Sequence, residues 1–101
     1  MPKAYWIVRV DVADLERYKQ YVAANARPLA DYGAKFIVRG GQFQAKEGTS
    51  RSRQVVIEFP SYQAALDCYN SAAYQEAMSL RLPVAECDFV IVEGYDGPQP
   101  A

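Results

Sequence analysis

The order of strand-like and helix-like segments constrains the fold of this chain most. Aromatic and β-branched residues, typical of strands, fill residues 3–11, 34–46, 53–59 and 87–95. Apolar residues at helical spacing fill one long segment after the first strand. They also fill two shorter segments before the last strand, and Asn70-Ser71 separates these two segments. The order is therefore β-α-β-β-α-β. Short connections and right-handed crossovers then predict a ferredoxin-like α+β fold, a four-stranded antiparallel sheet with its helices on one face.

Punctuating residues mark the ends of the helices. Asp14 and Ser61 are typical N-caps, and Gly33 is a typical residue after a helix end. Pro28 lies inside the first helical segment and predicts a break or kink near Ala26. We expect one domain over residues 1–95 and a loose tail over 96–101.

Composition excludes several classes of partner. The 101 residues carry a net charge of −1 and form no basic stripe, so we expect no nucleic acid partner. No apolar run is long enough to span a membrane. The chain starts directly in a strand, so we expect no signal peptide and a cytoplasmic location.

The chain contains no histidine, which removes the commonest general base and the commonest metal ligand. Cys68 and Cys87 are far apart and form no metal-binding spacing, so we expect two reduced, mostly buried thiols. We therefore expect no cofactor, with neither haem nor a tightly bound transition metal.

Alternation along the strands divides the sheet into two predicted faces. The face under the helices is entirely apolar and comprises Trp6, Val8, Val10, Phe36, Val38, Val55, Ile57, Phe59, Val90 and Val92. The other face is half apolar, through Ile7, Ile37, Val56, Phe89 and Ile91. Covering these five side chains would gain on the order of 10 kcal/mol, and a second copy of the same sheet is the simplest cover. The sequence thus predicts a homodimer, a dimeric α+β barrel; a half-solvated sheet face is the alternative.

Charged residues occur on this second predicted face in equal numbers of each sign: Arg9, Arg39, Glu58 and Glu93. Buried charges are tolerated when they are paired. Two interpretations stay open: a polar pocket for a small-molecule ligand, or an ion-pair network that fixes the register of the dimer.

Two glycines, Gly40 and Gly41, interrupt the second strand directly after Arg39. They could form a two-residue hairpin, or a β-bulge where a ligand approaches the backbone. We favour the bulge, with the polar segment 47–52 as the true turn.

Several segments together resemble the domain of unknown function 1330 family, within the dimeric α+β barrel superfamily. They include Lys3-Ala-Tyr-Trp-Ile-Val-Arg-Val, Tyr32-Gly-Ala-Lys-Phe-Ile-Val-Arg-Gly-Gly, Val56-Ile-Glu-Phe-Pro-Ser and Val90-Ile-Val-Glu-Gly, and the resemblance covers about residues 3–95. It implies a homodimer whose sheets pack face to face, and it implies no established reaction. The haem and hydrolase-like members of the superfamily use histidine, so cofactor-free chemistry or ligand binding is left.

Candidate site residues follow from the second face. Glu58 is the candidate general base, because burial should raise its pKa, and Arg39 or Arg9 could hold a substrate carboxylate or enolate. Tyr5 could donate a hydrogen bond. Asn25, near Pro28, could reach the edge of a pocket or satisfy the backbone that a kink frees. The function is then either cofactor-independent catalysis on a small organic acid or polar aromatic, or metabolite binding without catalysis.

Overall fold

The computed structural model describes residues 2–101. Its strands form one antiparallel sheet in the order β2-β3-β1-β4. The predicted ferredoxin-like α+β architecture is confirmed, with the second helical region divided into two helices. In chain order the elements are β1 (Ala4–Val12), α1 (Leu15–Asp31), β2 (Lys35–Arg39), β3 (Arg53–Phe59), α2 (Tyr62–Asn70), α3 (Ala72–Arg81) and β4 (Ala85–Glu93).

The predicted helix caps are confirmed. Each side chain accepts a hydrogen bond from the backbone N–H three residues later. Asp14 accepts from Arg17 N at 3.1 Å, and Ser61 accepts from Ala64 N at 3.0 Å. At the junction of α2 and α3, Ser71 Oγ accepts from Tyr74 N and donates to Cys68 O. One hydroxyl therefore ends one helix and begins the next.

Of the break or kink predicted at Pro28, the break is wrong, because α1 continues to Asp31, and the kink stays a prediction. Proline has a helical φ, and its main cost is the hydrogen bond that the carbonyl four residues earlier loses. That carbonyl belongs to Ala24, an exposed residue, so a water molecule can donate the missing hydrogen bond to it. The Pro28 ring itself is buried in the core.

An aromatic cluster centred on Trp6 forms the core between the sheet and the helices. Its ring centroid lies 4.8 Å from that of Phe59, 4.9 Å from that of Tyr74 and 5.0 Å from that of Phe89. Trp6 Nε1 donates a hydrogen bond to the carbonyl of Ala65 in α2 at 3.1 Å. The helices are thus fixed to the sheet by both packing and a buried hydrogen bond.

The predicted faces are right for β1 and β3 and wrong for β4. Residues opposite each other in an antiparallel pair share a face, and Trp6 is opposite Ile91 while Val8 is opposite Phe89. Phe89 and Ile91 therefore pack under the helices, and Val90 is on the open face. Alternation could not fix the phase of β4, because four consecutive residues, Phe89 to Val92, are all apolar.

A β-bulge also changes the faces of β2, at a different place from the predicted one. Phe36 is opposite Ile57 and Val38 is opposite Val56, so Ile37 is the extra residue. As a result Val38 is on the open face and Arg39 is on the helix face. β2 ends at Arg39, and residues 40–52 form a loop without a helix or strand, so neither the predicted bulge at Gly40-Gly41 nor the hairpin forms.

No helix among residues 2–101 is long and apolar enough to cross a membrane. Residues 96–101 contain no helix or strand. That this tail is loose stays a prediction.

Candidate functional site

The predicted site residues divide between the two sides of the sheet. Tyr5, Arg9 and Glu58 are on the open face, where Tyr5 is opposite Glu58 in the register of β1 and β3. Glu58 pairs there with Lys3, with 3.4 Å between Oε2 and Nζ. A carboxylate with this partner is satisfied without an arginine.

Arg39 and Glu93 are not part of that group. The bulge in β2 turns Arg39 to the helix side, and Glu93 shares a face with its partner Ala4, which is also under the helices. The predicted pairing of Glu58 with Arg39 in one pocket is therefore wrong within the chain. Its cause is the one-residue shift in β2, which alternation does not reveal.

The open face has a cavity of about 560 Å³ at the end where the loop 40–52 folds over Arg9. Arg51 extends from that loop to three carboxylates, at 3.0 Å from Asp11, 3.3 Å from Glu86 and 3.1 Å from Asp88. Because three carboxylates hold its guanidinium, Arg51 anchors the loop and is not free to bind a ligand.

A second cavity lies between α1 and the sheet, and it has a different character. It encloses about 40 Å³, room for a water molecule or two. Its polar lining consists of two tyrosines, three arginines and an asparagine, and the rest is apolar. The lining residues are Val8, Tyr18, Tyr21, Val22, Asn25, Phe36, Arg39, Arg53, Val55, Ile57 and Arg81.

The three arginines reach this cavity from three elements and none has a carboxylate partner among residues 2–101. Arg39 comes from the end of β2, Arg53 from the start of β3 and Arg81 from the end of α3. Arg81 is only 5% exposed. The Nε atoms of Arg53 and Arg81 are buried without a hydrogen-bond acceptor in the described chain. This cavity therefore has an excess of positive charge and unused donors.

Neighbouring aromatic rings contact the guanidinium groups of Arg39 and Arg81. Arg39 Cζ lies 4.0 Å from the ring centre of Phe36, and Arg81 Cζ lies 5.4 Å from that of Tyr21. Burial acts to lower the pKa of Arg81, but the adjacent Tyr74, Tyr21 and Cys87 outweigh it, and the pKa is raised. The guanidinium of Arg81 therefore stays charged.

The phenol groups of Tyr74 and Tyr18 stay protonated and can donate hydrogen bonds. Tyr21 Oη and Tyr74 Oη are 2.7 Å apart, and burial raises the pKa of Tyr74. Burial also raises the pKa of Tyr18 to about 12. No aspartate or glutamate lines the cavity, so it can hold an oxyanion but offers no carboxylate base.

Gly40 has a structural role at the edge of this site. Its φ is +70°, and a Cβ at this position would overlap the guanidinium of Arg53. Gly41, in contrast, has nothing within 4 Å of such an atom. Of the two glycines proposed to approach a ligand, Gly40 instead makes room for an arginine of the cavity.

Asn25 lies in the cavity wall and is 6% exposed, which agrees with the pocket-edge interpretation of this residue. Across residues 2–101, no group of three or more histidine, cysteine, aspartate or glutamate side chains could hold a metal ion. Both cysteines are free thiols, Cys68 buried and Cys87 half-buried, as the sequence predicted.

The sequence interpretation missed Arg53 and Arg81, although both carry a signal. Arg53 continues the alternation of Val55 and Ile57 on the buried face. Arg81 follows Tyr74 by seven residues and Ala77 by four, a spacing that places all three on one helix face.

Comparison with solved structures finds the same fold at low sequence identity. A protein of unknown function from Rhodopseudomonas palustris has a TM-score of 0.71 and 14% identity, over 95% of this chain and 85% of that one. The cofactor-independent oxygenase SnoaB from Streptomyces nogalater has a TM-score of 0.64 and 11% identity, over 99% and 97%. A dimeric ferredoxin-like protein of unknown function from Thermobifida fusca has 0.60 and 12%, over 91% of each chain.

A comparison with curated proteins finds no match. A family model, described as a domain of unknown function (DUF1330), matches residues 3–95. This match spans every helix and strand of the structure, and it agrees with the resemblance that the sequence segments showed. The chain therefore belongs to the DUF1330 family and has the ferredoxin-like α+β fold of the dimeric barrel proteins.

Proposed function

We propose that this protein is a homodimer that binds a small organic anion in the cavity under α1, through Arg39, Arg53 and Arg81. The observation that carries the proposal is the meeting of three arginines without a carboxylate partner at a partly apolar cavity, where Arg81 is buried, Arg53 is half-buried and Arg39 is exposed. An unpaired buried charge costs several kcal/mol, and a carboxylate or enolate between the guanidinium groups would offset that cost.

The enclosed position of the cavity supports a small ligand. Its lining combines apolar side chains with a few convergent polar groups, which is the usual composition of a small-molecule site. A nucleic acid backbone could not enter a space of about 40 Å³.

The open face of the sheet supports the dimer. Val90 is 53% exposed and is opposite the half-buried Ile7, which in turn is opposite the half-buried Val56, and Val92 is 39% exposed. Lys35 and Glu58 add charge at the side of this surface. The Thermobifida fusca protein of the same fold is described as dimeric. A second copy of the same face is the occupant that buries these apolar side chains.

Titrations with matched acids and amides test the anion site. Acetate and benzoate, compared with acetamide and benzamide, differ in the charge that the arginines would recognise. We expect NMR titrations to show each acid binding at least about tenfold more tightly than its amide, since hydrogen bonds to charged groups are worth roughly 1.5–3 kcal/mol. We expect Arg39→Gln to weaken acid binding about tenfold for the same reason.

Arg17→Gln is the matched control, because it removes one positive charge from an exposed position of α1 outside the cavity. Equal affinities for acids and amides, or an equal effect of the two substitutions, would contradict the proposal.

A second candidate function is cofactor-independent turnover of the bound anion. The observation that favours it is the hydrogen-bonded pair of Tyr21 and Tyr74, which places a phenolic donor at the cavity beside Arg81. SnoaB, of the same fold, is described as a cofactor-independent oxygenase. Turnover that Tyr21→Phe abolishes while binding remains would establish catalysis; saturable binding without any product, assayed by mass spectrometry, would establish binding alone.

A further inference from the structure

The cavity under α1 adjoins a larger, mostly apolar groove. This outer groove has a volume of about 330 Å³ and shares Tyr18, Val22 and Arg53 with the inner cavity. Its other apolar residues are Val12, Leu15 and Ala23. Its remaining charged residue, Lys19, forms an ion pair with Glu16 at 3.3 Å. The two spaces thus lie side by side, with Arg53 in the lining of both.

The sizes of the two spaces restrict the ligand. The inner cavity of about 40 Å³ has room for a carboxylate group but not for a whole organic acid. The rest of such a ligand must lie outside the inner cavity, and the adjoining groove is bordered by Tyr18, Val22 and Arg53. Beyond these residues the wall is made of aliphatic side chains on α1 and β1, which favour a hydrocarbon part over a second polar group.

We infer that the site takes an amphipathic monocarboxylate, whose carboxylate enters the inner cavity while its alkyl or aryl part lies in the outer groove. This inference rests on the proposed anion site. Arg53 lines both spaces. The bond that joins the carboxylate to the hydrocarbon part of the ligand therefore lies beside its guanidinium.

A homologous series of straight-chain acids tests the inference. We expect the affinity measured by NMR titration to rise about two- to fourfold per methylene from acetate to hexanoate, since a fully buried methylene contributes roughly 0.8 kcal/mol. Ala23→Trp fills the groove and should remove this rise while leaving acetate binding intact. Ala24→Trp, at the next exposed position of α1 and outside both cavity linings, is the matched control and should keep the rise. Leu15→Glu, which places a like charge in the groove, should weaken hexanoate binding more than acetate binding.

The outcomes separate this inference from the proposed function. If all acids bind alike yet more tightly than their amides, the anion site stands and the groove assignment is overturned. If the rise persists in both Ala23→Trp and Leu15→Glu, the hydrocarbon lies elsewhere and the inference is again overturned. If amides bind as well as acids, it is the proposed function that fails.

Discussion

Gly40 is the residue at which one methyl group would disturb the candidate site most directly. Its positive φ is unfavourable for other residues, and the guanidinium of Arg53 occupies the space of a Cβ. We expect Gly40→Ala to lower the free energy of unfolding by about 1–2 kcal/mol, the cost of a left-handed non-glycine residue, and to displace Arg53. Chemical denaturation measures the first effect and benzoate titration the second.

The adjacent glycine supplies the control for this prediction. Gly41 has no positive φ and open space around it, so Gly41→Ala should stay within about 0.5 kcal/mol of the unmodified protein. Equal destabilisation by the two substitutions would show that the left-handed conformation and the contact with Arg53 are unimportant.

Single residues also show what the sequence could predict about the site. Periodicity alone places Arg81 with Tyr74 and Ala77, and Arg53 with Val55, so both arginines could have been found as charges on buried faces. Arg39 could not, because its face depends on the extra residue at Ile37. Pairing partners that are distant in sequence determine such a bulge.

At the scale of elements, Ser71 links α2 and α3 through one hydroxyl group. α3 carries both Tyr74 and Arg81, so its start also positions the cavity. We expect Ser71→Ala to cost about 1–2 kcal/mol of stability, as for other N-cap replacements. Thermal or urea unfolding of the variant checks this value.

Ser79→Ala is the appropriate comparison for that variant. Ser79 is exposed inside α3, and its hydroxyl donates only to the carbonyl of Glu76 in the same helix. Alanine is a better helix former, so the change should be neutral or slightly stabilising. A loss of stability as large as that of Ser71→Ala would refute a special role for the junction.

The elements differ in how well the sequence predicted them. Helix caps and the order of the elements depend on local signals, and these were predicted well. The phase of β4 was not, since Phe89, Val90, Ile91 and Val92 are all apolar and either set could face the helices. Only the register with β1 decides, because it brings Ile91 opposite Trp6.

At the scale of the whole molecule, the proposed dimer depends on the open face. We expect Val90→Lys to yield soluble monomers, because it places a charge at the most exposed apolar side chain of β4 on that face. Sedimentation velocity at micromolar concentration measures the change. The sequence interpretation would have chosen Ile91, but Ile91 packs against the core, so Ile91→Lys would damage the fold itself.

Leu80→Lys is the control for the dimer. Leu80 is 38% exposed and lies on α3, one of the helices that cover the other side of the sheet, so this variant should remain a dimer. A stable monomer of the unmodified chain, or dimers in the Val90→Lys variant, would rule out the open face as the interface.

The extra residue in β2 has a consequence for how relatives of this protein diverge. A deletion of one codon at Ile37 would remove the extra residue and leave Arg39 opposite Val55, still on the helix side of the sheet. Loss of the bulge without a deletion would instead pair Ile37 with Val56 and carry Arg39 to the open face, away from the cavity. A relative of the same length but without the bulge would therefore keep this arginine in an alignment and lose it from the binding site. Alignments without gaps would hide that difference, since they would equate side chains that point in opposite directions.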